Sequence, residues 1–172
     1  ALTLEEKEMI KAASPLLPSN TFMSIIQEEG NYYLQPKCSL NWYVWKDSQW
    51  QPIFSSPNIG GFCASLSFIQ GEDFYVMGKY GFWEGHVDLV RIPKSNLEME
   101  WVDTNQQPED FQPLGMFRSK NGILSLFGSK HNLRKDLIGM SDQGYFLNWE
   151  DKNWSSFTID WNQQFLQKRK KI

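Results

Sequence analysis

Two histidines, His86 and His131, are the side chains in this sequence best suited to proton transfer near neutral pH. His86 follows Lys79-Tyr80-Gly81-Phe82-Trp83-Glu84-Gly85, and His131 precedes Asn132-Leu133-Arg134-Lys135. With Lys or Glu nearby, the pair could act as general acid and base. No nucleophile elbow, paired CxxC, H-E-x-x-H or phosphate-binding loop accompanies them. A metal site built from His86, His131 and Cys38 would need three separate loops to converge, and nothing in the sequence enforces that. No cofactor motif is present, and no catalytic set is assigned.

A binding surface is the better reading of the same residues. Tyr80, Phe82, Trp83, Glu84 and His86 stand in one segment, and His131, Arg134 and Lys135 in another. Aromatic and arginine side chains on loops of a rigid scaffold are common interface anchors. Both segments follow a strand that ends in glycine, at Gly78 and at Gly128, so they are expected to be equivalent loops on one rim. The first copy offers Lys37-Cys38-Ser39 at that place. Carboxylates are scattered, and no pair has the marks of a glycosidase. Glu98 and Glu100 alternate with Leu97, Met99 and Trp101 and are expected to face outward from a half-buried strand.

The elements that position these residues recur. Trp45-Lys46-Asp47, Trp101-Val102-Asp103 and Trp149-Glu150-Asp151 stand about 50 residues apart, the spacing of a repeat unit. Two of them extend to W-x-D-x-x-W, through Trp50 and Trp154. In that turn the aspartate is expected to accept a hydrogen bond from its own backbone, with the tryptophans packing across a hairpin. Phe74 to Gly78 answers Leu124 to Gly128, and Asp88 to Ile92 answers Asp136 to Met140. Turn signals at Glu28–Asn31, Asp47–Gln49, Gly71–Asp73, Lys120–Gly122 and Asp151–Asn153 separate about thirteen short strands. One helix opens the chain. Thr3 and Glu6 form a capping box, Leu4, Met9, Ile10 and Ala13 can share a face, and Ser14-Pro15 and Pro18 end it.

The expected fold is therefore all-β, with about three four-stranded antiparallel meanders, propeller-blade-like, and a short N-terminal helix covering one end. An apolar strand ending in glycine, followed by a loop, a strand, a turn and a tryptophan, resembles a kelch-type propeller blade over residues 22 to 160. Single glycines, Gly78 and Gly128, stand where kelch repeats carry a pair. The resemblance implies blades in an open stack, or a ring completed by two chains. A lipocalin-like barrel is the other architecture of this length, but its G-x-W signature belongs near the first strand, whereas Gly81-Phe82-Trp83 lies mid-chain. The expected divisions are 1–20 (helix and linker), 21–162 (a single β domain) and 163–172 (a basic tail).

Composition narrows the partner. The 172 residues carry a net charge of −3, but Lys168 to Lys171 supply four of the positive charges. The rest has 13 basic residues against 20 acidic ones. An acidic body disfavours nucleic acid and favours a basic protein partner. No apolar run approaches the ~18 residues of a membrane span. Two cysteines are too few for a disulfide framework. Cys63, in Phe62-Cys63-Ala64-Ser65-Leu66, is expected to be a buried thiol, while pairing with Cys38 stays open. A cytoplasmic location is expected, with a secreted mature form as the alternative. The functional expectation is a non-catalytic, protein-binding inhibitor of the immunity or antitoxin type, docking a basic partner, with homodimer formation left open. The alternatives are a carbohydrate-binding propeller lectin, or a hydrolase or nuclease using His86 and His131.

Overall fold

The computed structural model describes residues 3–16, 23–56, 61–63, 65–80 and 83–159. The chain is mostly β, with one short N-terminal helix and antiparallel sheets. The linker after Leu16 and the basic tail lie outside the described residues. Within the range expected to be a single domain, two compact units form. One takes residues 1–82 and 88–102, the other 83–87 and 103–172.

Helix α1 spans Leu4–Ala13. Its first turn is satisfied reciprocally: Glu6 N donates to Thr3 Oγ1 at 3.1 Å, and Thr3 N to Glu6 Oε2 at 2.6 Å. Ser14–Leu16 tightens into a 3₁₀ turn. The expected four-residue apolar face narrows to Met9 and Ala13, while Leu4 is 75 % exposed. Those two are four apart and so stack on one stripe. They pack on Leu34 and Trp50. The Trp50 indole N–H donates to the Met9 carbonyl at 2.9 Å, fastening helix to sheet.

The first unit holds two meanders. Strands β1 (Met23–Glu28), β2 (Asn31–Pro36), β3 (Trp42–Lys46) and β4 (Gln49–Phe54) pair in chain order. So do β5 (Leu66–Gln70), β6 (Asp73–Tyr80), β7 (Gly85–Pro93) and β8 (Glu100–Trp101), with β7 lending its first three residues to the second unit. Both sheets feed one core. Trp42 stacks on Phe74 at 4.6 Å between ring centroids, with Val44, Ile69, Val76, Val90 and Ile92 buried around them. Strand β8 is shorter than the alternation around Glu98 and Glu100 suggests. Leu97 takes a φ of +56° and donates its N–H to Pro93 O, so the chain turns tightly before it can pair.

Cys38 and Cys63 form a disulfide, and Cys63 is exposed. The expectation that Cys63 is a buried thiol is therefore wrong, and the pairing left open by the sequence is made. Phe62, beside it, is the residue that turns into the core.

The second unit is built on β9 (Phe111–Ser119), β10 (Gly122–Asn132), β11 (Leu137–Met140), β12 (Gln143–Asn148) and β13 (Trp154–Thr158). Strand β9 lines one edge of β10. On the other edge β12 pairs with Gly122–Ser125 and β11 with Ser129–Asn132, so β11 and β12 lie end to end, interrupted at Ser141 and Asp142. Strand β13 follows on β12.

The two W-x-D-x-x-W turns are not equivalent. Trp45 and Trp50 sit directly opposite each other, edge to face at 5.1 Å, across a two-residue turn in which Asp47 and Ser48 both have positive φ. In the later copy Trp154 pairs with Leu147, and Trp149 falls in a longer loop beneath Lys152. There Asp151 does accept the Asn153 N–H, at 3.0 Å. The hairpin closes two residues earlier because Asn148 N donates to Asn153 O, which leaves Trp149 outside the ladder.

Candidate functional site

The second unit carries a polar recess of about 350 Å³, lined by residues 84–87, 107–110 and Lys135. Its walls come from three stretches of chain. Glu84 bridges to Asn132 in antiparallel fashion, and Leu133 N donates to Trp83 O at 2.7 Å. These bonds hold the segment at 83–87 beside the turn after β10. The 107–110 segment is held by His131 N, which donates to Asp110 O at 2.8 Å.

Asn132 organises the site from beneath. It is 2 % exposed. Its Oδ1 accepts the backbone N–H groups of Arg134 and Lys135 at 3.0 and 3.1 Å, an Asx turn that fixes the backbone carrying both side chains. Its Nδ2 donates to Asp110 Oδ1 and to Glu84 Oε2. Lys135 Nζ then reaches Asp110 Oδ2 at 2.7 Å. The hydrogen bonds from Lys135 and Asn132 hold the Asp110 carboxyl below the usual carboxylate range, and the Asp110 bond in turn raises Lys135.

His86 Nε2 lies 3.6 Å from Glu84 Oε1. Gly85 sits against Gln112, where an added Cβ would meet Gln112 Cβ and N at 3.0 Å and crowd the approach of the strand start to β9. At the rim the Arg134 guanidinium lies 5.6 Å from the centre of the Trp83 ring, and Trp83 is 49 % exposed.

Of the residues expected to form a binding rim, Trp83, Glu84, His86, Arg134 and Lys135 come together here. His131 contributes through its backbone and is not among the residues lining the recess. Phe82 and the Tyr80 side chain lie outside the described residues. Neither histidine stands on a loop as expected: His86 belongs to β7 and His131 to β10. Strand β10 continues through Ser129 to Asn132 because that stretch pairs with β11, which a run ending at Phe127 does not suggest. Sequence reasoning missed Asp110 and Asn132. The available signal was the Glu109-Asp110 pair inside a stretch of loop composition.

Cys38, the third metal ligand considered, is tied up in the disulfide. Among the described residues no group of three or more His, Cys, Asp or Glu is arranged to hold a metal ion. No described helix is long and apolar enough to cross a membrane. A second recess, about 430 Å³, is lined by Lys120, Asn121, Asn148, Trp149 and Glu150. Lys152 Nζ lies over the Trp149 ring, 4.7 Å from its centre.

No protein-family model matches the chain, and no curated protein matches it. Among solved structures, that of YjhT is similar in fold, with a TM-score of 0.60 and 11 % identity. The match covers 81 % of this chain and 50 % of the YjhT chain, so the sequence spans about half the length of that structure. At this identity the likeness is one of fold alone.

Proposed function

We propose that this chain is a non-catalytic binding protein whose recess at Glu84, His86 and Asp110 receives a basic side chain of a protein partner. The observation that carries this reading is the carboxylate lining. Glu84, Glu109 and Asp110 border one recess, while Lys135 is already committed to Asp110. A guest ammonium or guanidinium would find acceptors at Glu84 and Glu109, beside the Trp83 ring that Arg134 already faces at the rim. Inhibition of a cationic protein, as an immunity protein does, is the role that best suits such a site on an acidic body.

The scaffold is read as a propeller-like array of blades of the kelch type. Support comes from two meanders in chain order and from β11 and β12, which together occupy one strand position beside β10. The Cys38–Cys63 disulfide favours an oxidising compartment over the reducing one expected from composition.

The test is calorimetric titration with arginine-rich, lysine-rich and uncharged peptides of equal length over a salt series. Basic peptides should bind, several-fold more weakly at physiological than at low salt. Glu109→Gln and Trp83→Ala should each weaken binding. Equal binding of the uncharged peptide, or full affinity in both variants, would sink the assignment.

A further inference from the structure

The β9–β13 sheet has an apolar face that serves neither the recess nor the buried core. Phe117 and Phe146 are both register partners of Leu124, and Phe157 pairs with Gly144, two residues before Phe146. In an antiparallel ladder, partners and residues two apart share a face, so these four side chains lie together. Phe117 is 55 % exposed and Phe157 39 %. Strand β11 adds Ile138 and Met140, also exposed. The opposite face holds the buried Ile123, Leu147 and Trp154, so the exposed set is not simply the near side of one core.

Two of its rings lie close against glycine backbone. The Phe146 ring lies over Gly122, and the Phe157 ring lies over Gly144. An uncharged sheet face suits another sheet, the packing that builds β-sandwiches. It does not suit the basic partner of the recess, since none of the six side chains carries charge.

We infer that this face is a homodimer interface, with the β9–β13 sheets of two copies packed face to face about a two-fold axis. A two-fold contact needs a patch that complements itself, and an uncharged face does so without charge pairing. The area is adequate. Four strand positions at ~4.8 Å and up to nine residues at ~3.3 Å give on the order of 500 Å² per chain. Two copies then reach about 1,000 Å², the lower bound for a specific interface. The β1–β4 sheet already has a cover, α1, on its Leu34 and Trp50 face.

Sedimentation equilibrium and light scattering on the full chain test this. The expected result is the mass of two chains at submillimolar concentration, falling toward one on dilution. Phe117→Asp and Phe157→Asp should each give the mass of one chain, with unchanged far-ultraviolet circular dichroism. Leu4→Asp, on the exposed side of α1, should leave the dimer intact. A chain that stays monomeric throughout overturns the proposal and assigns the face to another occupant, whether residues 160–172 or a different protein. A dimer indifferent to both phenylalanine variants overturns it equally.

Discussion

Lys135 and Asp110, 25 residues apart in sequence, meet with Nζ 2.7 Å from Oδ2, and this pair closes one wall of the recess. Asp110 also receives Asn132 Nδ2. Its carboxyl is thereby held below its unfolded value, first by Lys135 and then by Asn132. For a depressed carboxyl the stabilisation is complete above the unfolded pKa and is lost as pH falls through the folded one. Asp110→Asn should therefore lower the urea midpoint at neutral pH, with the difference from the parent shrinking in acid. A difference that persists unchanged in acid would show that the carboxylate charge is not what matters.

Gly122 and Gly144 should respond differently to alanine, although a phenylalanine ring covers each. At Gly122 the new Cβ would run into the Leu147 carbonyl, which belongs to the ladder and cannot step aside. At Gly144 it would meet only the ring of Phe157, a side chain with room to swing into solvent. Overpacking costs roughly 1–3 kcal/mol, so Gly122→Ala should fall at the top of that range or above it and Gly144→Ala at the bottom. Paired denaturant melts check the ordering.

The Cys38–Cys63 bond closes a loop of sequence separation 25 between β2 and β5. By loop-closure entropy, removing it should cost about 3 kcal/mol. Reductant should lower the melting temperature of the parent and leave that of Cys38→Ser/Cys63→Ser unchanged. Thiol titration of the unfolded, unreduced chain should find none; two reactive thiols would refute the pairing.

Burial pushes the Lys37 ammonium down to about 8, and its Nζ donates to Ser65 O. A lysine depressed on folding opposes the folded state below that pH. The penalty lifts as pH rises from about 8 toward the unfolded value of about 10.4. Lys37→Met should therefore be more stable than the parent at neutral pH by about 1–3 kcal/mol, with the gap closing across that alkaline window. Chemical denaturation of both proteins at neutral and alkaline pH measures it. A gap that does not change with pH would mean that packing, not charge, sets the effect.

Local features were legible because they depend on neighbours in sequence. The Thr3–Glu6 box, the turn at Glu29 and Gly30, and the facing Trp45 and Trp50 all follow from contacts within a few residues. Part of the candidate site was legible in the same way: Trp83, Glu84 and His86 fall within four residues, and Arg134 and Lys135 are adjacent. The W-x-D-x-x-W motif misled at Trp149, where one asparagine-to-asparagine backbone bond moved the hairpin closure.

The sequence by itself determined that the chain is all-β with one capped helix, since alternation, turn residues and capping are encoded locally. Tertiary structure alone decided three things. Asn132 became the buried centre of a site, because its four partners come from three separate stretches of chain. Cys38 met Cys63 because two sheets share one core. Phe117, Phe146 and Phe157 came to share one exposed face because strand register, which no single strand contains, aligned them.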